Sequence, residues 1–317
     1  MDCTEREQIR GALIGFLTGD ALGVPVEFLK RDSYPEVTGM RGYGTHNMPP
    51  GTWSDDGSMT LSMTESLVDG FNLTDIQRKF CDWLYRCHWT YNGKAVFDVG
   101  ITTATALRKV ELGIAEGETG EKGERDNGNG SLMRILPLAF YIAHACRKEE
   151  KRFSLIEEVS GITHAHIRSK IACSIYIEIA LQLLDGKRLR EAYEAMKPVI
   201  EQHYFKEKNE EERKHFSRIL EDDLALLGRE EIKSSGYVID TLEASIWCLL
   251  TTDTYTDAVL KAVNLGEDTD TVGAVTGGIA GLYYGIEEIP EAWKRQLARI
   301  EDVEQLCIQF SESLKRI

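Results

Sequence analysis

Apolar positions recur along this chain at helical rather than strand spacing. Between Glu5 and Leu17 they fall at Ile9, Leu13, Ile14, Phe16 and Leu17, one face of an amphipathic helix. Gly19, Gly23 and Pro25 punctuate its end. Residues 31–53 are rich in Gly, Pro, Tyr and Asn and predict a long loop, of the kind that usually carries function. Helical patterns resume from Ser58 to Gly70, from Thr74 with Gln77 completing a capping box, and from Thr102 to Ala115. They return at Leu132–Leu138 and from Ser154, Ile167, Leu189, Glu210, Tyr237 and Thr256. Thr271–Gly285 is small and apolar, the signature of a buried helix, and Pro290–Ile317 closes the chain. Alternating β-branched runs never persist. The pattern predicts an all-α fold of about twelve helices, one orthogonal multi-helix domain over residues 1–317.

Two helix entrances carry more chemistry than a cap needs. Ser54, Asp55 and Asp56 precede one apolar helix, and Asp268, Asp270 and Thr271 open another. Hydroxyls and carboxylates are ordinary N-cap residues, so either cluster alone is explained by capping. Both together offer six hard oxygen ligands, without histidine or thiolate, which suits Mg2+ or Mn2+ rather than zinc. The expectation is that the tips meet in space and hold one ion or a pair, because four carboxylates packed together need a cation.

Residues 116–130 hold five glycines and end in Asn127-Gly128-Asn129-Gly130-Ser131, which leads into Leu132 and Met133. Gly and Asn tolerate positive φ, so this turn has the makings of an anion nest for a phosphate or diphosphate. It lacks the lysine of a P-loop and no strand precedes it. His164 and His166 form a spaced pair that binds metal, binds ligand, or caps helix ends.

Composition narrows the partners. A net charge of −15 argues against a nucleic-acid surface, so nucleic acid enters only as a modified substrate. The seven scattered cysteines point to reduced thiols and a cytoplasmic setting; Cys81, Cys87 and His88 lack the second pair a zinc site needs. The charged N-terminus has no signal-peptide form, and no apolar run is expected to span or anchor in a membrane. Lys206–Lys214 reads as a solvated helix face.

The order of motifs, Arg10–Gly15, Gly19–Gly23, Glu27, Gly51–Asp56, Gly128–Arg134, Thr163-His164 and Asp268–Thr271, resembles the ADP-ribosylglycohydrolase family over residues 10 to 285. The resemblance implies an all-helical fold around a two-metal centre, magnesium or manganese, and hydrolysis of the bond between ADP-ribose and an acceptor, protein or small molecule. It assigns Ser54, Asp55, Asp56, Asp268, Asp270 and Thr271 as metal ligands. Glu27 becomes the acidic residue of a mobile entrance loop, and Glu27, Asp55 and Asp56 the candidate proton acceptors. Asn127, Gly128, Asn129, Gly130, Ser131, Met133 and His164 line up as substrate-binding positions. Departures stand at Ser54 for threonine, Gly57 for threonine, Glu267 for glycine, and Asn127 where some relatives carry an aromatic that stacks on adenine. The competing readings are a catalytically silent ADP-ribose-binding module, a metal-dependent nucleotide phosphohydrolase, and a calcium-stapled structural protein.

Overall fold

A computed structural model of the protein describes residues 3–146, 148–206 and 208–317, the side chains of Cys3 and Thr4 excepted. Its α-helices, in chain order, are α1 Cys3–Gly23, α2 Asp55–Val68, α3 Leu73–Arg86, α4 Ile101–Glu111, α5 Pro137–Ala145, α6 Glu149–Gly161, α7 Ile167–Leu184 and α8 Leu189–Ile200. Then come α9 Glu210–Arg213, α10 Ser217–Leu220, α11 Val238–Leu250, α12 Tyr255–Val263, α13 Thr269–Tyr284, α14 Glu291–Lys294 and α15 Ile300–Leu314. Setting aside the single turns α9, α10 and α14 leaves twelve, the number that the periodicity predicts. Extended pairing among the described residues is limited to isolated bridges.

The centre of the molecule is the antiparallel pair α1 and α13. Glycines at four-residue spacing on both helices let the backbones touch: a methyl group on Gly19 would lie 2.0 Å from the Gly273 carbonyl oxygen, and one on Gly11 would lie 2.3 Å from that of Gly281. Only hydrogen fits in that seam. The Thr269 hydroxyl closes its end by donating to the Gly23 carbonyl at 2.8 Å. The C-terminus of α1 is thereby pressed against the N-terminus of α13, which brings Glu27 beside Asp268 and Asp270. Around this pair, buried residues of α2, α3, α5, α7, α11, α12 and α15 form one continuous hydrophobic core.

The structure corrects three sequence expectations here. The Glu5–Val26 stretch is long and apolar enough to cross a membrane, contrary to the reading above, but 94% of its 18-residue window is buried inside the protein. Its hydropathy serves the central seam. Helix α3 is capped by Asn72, whose side chain accepts the Asp75 N–H at 3.1 Å, and the Thr74 hydroxyl bonds Glu116 instead. Nor is the charged segment wholly solvated, because Glu212 takes two hydrogen bonds from Arg168. As expected, residues 31–53 run largely without regular structure, with one 3-10 turn at Gly44–His46. The cysteines described (81, 87, 146, 173, 248 and 307) are free thiols.

Candidate active site

The first acidic tip is the N-terminus of α2. The Ser54 side chain caps it, accepting the Asp56 N–H at 3.3 Å. Trp53, fully buried, anchors the approaching chain through Nε1 donating to the Trp89 carbonyl at 3.0 Å. Beneath the turn lies Asp20, a fully buried acid on apolar α1 that the sequence reading placed in a motif without giving it a role. Its carboxylate accepts the N–H groups of Ser54 and Gly57, each at 2.9 Å. Burial raises Asp20 to about 7, against the pull of those two donors. Gly57 follows from the same packing, because a methyl there would meet the Trp53 ring within 2.7 Å. The turn is thus clamped from behind, with Asp55 and Asp56 at the cleft.

The second tip is the entrance to α13. Asn129 Nδ2 donates to Asp268 at 2.9 Å and to the Thr241 hydroxyl at the same distance. The Asp268 N–H is held by the Ser234 carbonyl at 3.0 Å. The Thr271 hydroxyl reaches Asp56 at 3.4 Å, so the two tips meet. Glu267, one of the departures noted above, adopts φ +61°, the left-handed conformation that glycine favours. Its side chain is exposed and does not line the cleft, while its backbone pairs with the entrance loop through Phe28 N–H at 2.6 Å and Leu29 C=O at 2.7 Å.

That pairing sets Glu27 over the site. Glu27 is buried, and an oxygen of each of Glu27, Asp268 and Asp270 falls within 4.8 Å of the others. His46, from the loop, holds Glu27 Oε2 at 2.5 Å, and the Thr45 hydroxyl donates to the Glu27 carbonyl at 2.7 Å. Asp98 completes a second cluster with Glu27 and His46. Sequence reasoning missed both His46 and Asp98, which sit in aperiodic segments where only the fold gives them meaning.

The remaining wall comes from the glycine-rich turn. Gly128, Asn129, Gly130, Met133 and His164 line a cleft of about 340 Å³ together with Glu27, Asp55, Asp56, Asp268 and Thr271. Asn127 and Ser131 do not line it. The Asn127 side chain accepts from Ser169 and donates to the Glu124 carbonyl, and Ser131 is buried against Ser160 and Cys173. Both brace the turn from behind, because their polar atoms are committed to neighbouring elements. An anion nest built of successive N–H groups is reduced as well, since the Asn129 N–H is spent on the Gly236 carbonyl at 3.0 Å. The histidine pair divides: His164 faces the cleft, whereas His166 caps α7 by accepting the Arg168 N–H. A larger cleft of about 610 Å³, lined by Asp32, Tyr34, Arg229 and Lys261 among others, has its Arg229 paired with Asp32.

This donor set fits a divalent cation. Asp56 Oδ2 and both oxygens of Asp270 are buried without a hydrogen-bond partner among the described residues. Burial, then mutual repulsion, pushes Asp55, Asp56 and Asp270 well above the usual carboxylate range and Glu27 to about 11. Orphaned, desolvated carboxylate oxygens facing one another are costly unless a cation sits among them. All-oxygen donors are the preference of Mg2+ and Mn2+.

A family model described as ADP-ribosylglycohydrolase matches residues 1–316. The chain is 33% identical to the ADP-ribosylarginine hydrolase Tri1 of Serratia proteamaculans (strain 568) over 313 residues, 96% of this chain and 79% of that one. It is 30% identical to the ADP-ribosyl-[dinitrogen reductase] glycohydrolase of Rhodospirillum rubrum over 295 residues, covering 90% and 89%. A solved structure described as an ADP-ribosylglycohydrolase-related protein complex superposes with a TM-score of 0.77 at 30% identity, over 98% of both chains.

Proposed function

The chain belongs to the ADP-ribosylglycohydrolase family, enzymes that hydrolyse glycosidic bonds, and from that premise we propose that it removes ADP-ribose from a mono-ADP-ribosylated acceptor. The observation that carries this reading is the meeting of the α2 and α13 tips at the cleft, with buried carboxylate oxygens lacking partners. Asp55, Asp56, Asp268, Asp270 and Thr271 would hold the metal. Ser54 would join with the lone pair that its cap leaves free. Four clustered carboxylates match the charge of two divalent ions, Mg2+ or Mn2+. A cation bound there supplies a Lewis acid that polarises the oxygens it touches.

The chain's own residues do the rest. Gly128, Asn129, Gly130 and Met133 form the wall against which the diphosphate and ribose lie, keeping the anomeric carbon aligned with the attacking water. Water adds to that carbon as its bond to the acceptor breaks. Asp55, Asp56 or Glu27 takes the water's proton and passes it to the departing acceptor, which leaves protonated. Glu27 is oriented for this by His46. Glu27 and Asp98, which line the cleft outside the four carboxylates matched to the metal, keep it acidic and suit a cationic acceptor. We therefore favour ADP-ribosylated arginine on a protein.

The test is a panel of acceptors mono-ADP-ribosylated on arginine, serine or a nucleic-acid base, incubated with the protein and Mg2+ or Mn2+. Release of intact ADP-ribose from the arginine conjugate is the expected result. Release of inorganic phosphate would make it a phosphohydrolase, and tight binding without release would make it a binding module.

A further inference from the structure

Behind the glycine-rich wall lies Arg134, fully buried, whose guanidinium has no carboxylate hydrogen-bonded to it among the described residues. Its Nη1 donates to the Gly130 carbonyl, and its Nη2 donates to the Val159 carbonyl at 3.2 Å and to the Thr163 hydroxyl at 2.9 Å. Its charged face stacks over the Phe80 ring, 4.8 Å from the centroid. On the far side, the same Thr163 hydroxyl lies 2.7 Å from His164 Nδ1.

One proton arrangement along this chain leaves the Thr163 hydroxyl hydrogen with a partner. A guanidinium has only donors, so Thr163 Oγ1 must accept from Arg134. The hydroxyl hydrogen is then left for its other hydrogen-bond partner among the described residues, the imidazole Nδ1. A nitrogen that accepts cannot also carry a proton, so the ring proton sits on Nε2. The backbone that carries the ring is held on both sides, since the His164 N–H is tied to the Ser160 carbonyl at 2.9 Å and its carbonyl accepts the Ser160 hydroxyl at 3.0 Å. The ring lies against Gly128 and Gly130: a methyl on Gly130 would approach it within 2.7 Å.

We propose that Arg134 and Thr163 are positioning residues that lock His164 in its Nε2–H tautomer, making it a fixed hydrogen-bond donor to an oxygen of the ADP-ribose moiety. This rests on the reading of the cleft as the ADP-ribose site and adds to it how an acidic cleft keeps a neutral donor beside an anionic ligand. Burial, and secondarily the Arg134 charge, bring His164 down to about 3, so the ring stays neutral wherever the enzyme works. Burial lowers Arg134 only to about 10, so it remains a cation.

The ring nitrogens of the full-length, 15N-labelled protein with Mg2+ decide the matter, His164 being assigned among the seven histidines by its loss in His164→Asn. The expected spectrum shows Nε2 protonated and Nδ1 bare, unchanged between about pH 5 and 8, where an ordinary histidine changes charge. Thr163→Val should yield a mixture of tautomers and weaken ADP-ribose about tenfold, while Thr163→Ser restores both. An Nδ1–H tautomer or a titrating ring in the wild type would overturn the proposal without touching the functional reading. Should Thr163→Val not fold, the wild-type spectrum still decides. Failure of wild-type protein to bind ADP-ribose at all would instead remove the cleft assignment, and the ligand half of the proposal with it.

Discussion

The Thr271 hydroxyl donates to Asp56 at 3.4 Å across 215 residues of sequence, joining the first turn of α13 to the first turn of α2. Each tip is fixed by its own helix and clamped from behind, so the two carboxylate groups are held together by the core rather than by attraction for each other. In the reading proposed above, their repulsion is what the cation relieves.

The metal-linked stability should therefore be large. Saturating Mg2+ or Mn2+, at about 100 times its dissociation constant, should stabilise the wild-type fold by ~2.7 kcal/mol. Asp268→Ala should lose both that stabilisation and turnover, while its circular dichroism stays helical. A thermal midpoint for Asp268→Ala that still climbs with added cation would exclude Asp268 from the ligand set.

Glu27 is the residue most exposed to a division between binding and chemistry. It sits under the entrance loop, bonded to His46, and its oxygens approach Asp268 and Asp270. Glu27→Gln keeps the shape and the hydrogen bond but removes the proton acceptor. Steady-state kinetics should show kcat falling by about 100-fold or more, the usual scale of acid–base catalysis, with ADP-ribose affinity little changed. Equal losses in both would demote Glu27 to a binding residue.

Asp20 tests whether the α2 tip is built from behind. Asp20→Ala strands two buried N–H donors, Ser54 and Gly57, each at a cost of about 1–3 kcal/mol. Asp20→Asn retains an acceptor and should cost less. Urea denaturation gives the ranking, and the metal affinity of whichever variant folds should drop along with it. If Asp20→Ala were as stable as wild type, the clamp would be an incidental contact.

Much of this site could be read from the chain, for an identifiable reason. Asp55, Asp56, Asp268, Asp270 and Thr271 each sit where a helical pattern starts, so periodicity announces them. Asp98 and His46 sit in loops without period, and nothing local distinguishes them from surface polar residues. Asp20 and Arg134 are single charges inside apolar runs, a legible anomaly that the motifs contain but that was given no role and went uninterpreted. So did the four-residue spacing of Gly11, Gly15, Gly19 and Gly23 against Gly273, Gly277 and Gly281, which specifies the central seam. The bracing roles of Asn127 and Ser131 could not be foreseen, because they sit at the two ends of one short turn whose three middle residues face the cleft.

That seam predicts a sharp steric penalty. Gly19→Ala would put a methyl 2.0 Å from the Gly273 carbonyl oxygen, on backbone that cannot step aside without parting α1 from α13. Overpacking of this kind typically costs about 1–3 kcal/mol. Because the seam sets Glu27 relative to Asp270, turnover should fall more than stability alone explains. Gly161→Ala, whose nearest neighbour would be the Lys170 side chain at 3.8 Å, is the control and should be neutral or mildly stabilising.

The far half of α2 is held by a different device, and it carries a pH signature. Glu65 accepts from Lys79 at 2.5 Å and from His88 at 2.6 Å. Burial works against its ionisation, but the two hydrogen bonds and their charges outweigh it and draw the carboxyl from its ordinary 4.5 to about 2. A carboxylate with a depressed folded value stabilises the native state fully above about pH 4.5, and that contribution is lost as pH falls through about 2. The side chain is still 29% exposed, so solvent screening limits the contribution to about 1–2 kcal/mol. Unfolding free energies of wild type and Glu65→Gln from urea denaturation should differ by that amount at neutral pH and converge as the pH is lowered from 4.5 toward 2. A gap that holds constant down to the acid limit would mean that the glutamine variant suffers from packing rather than from lost charge, and the ion pair would not be what seats α2 against α3.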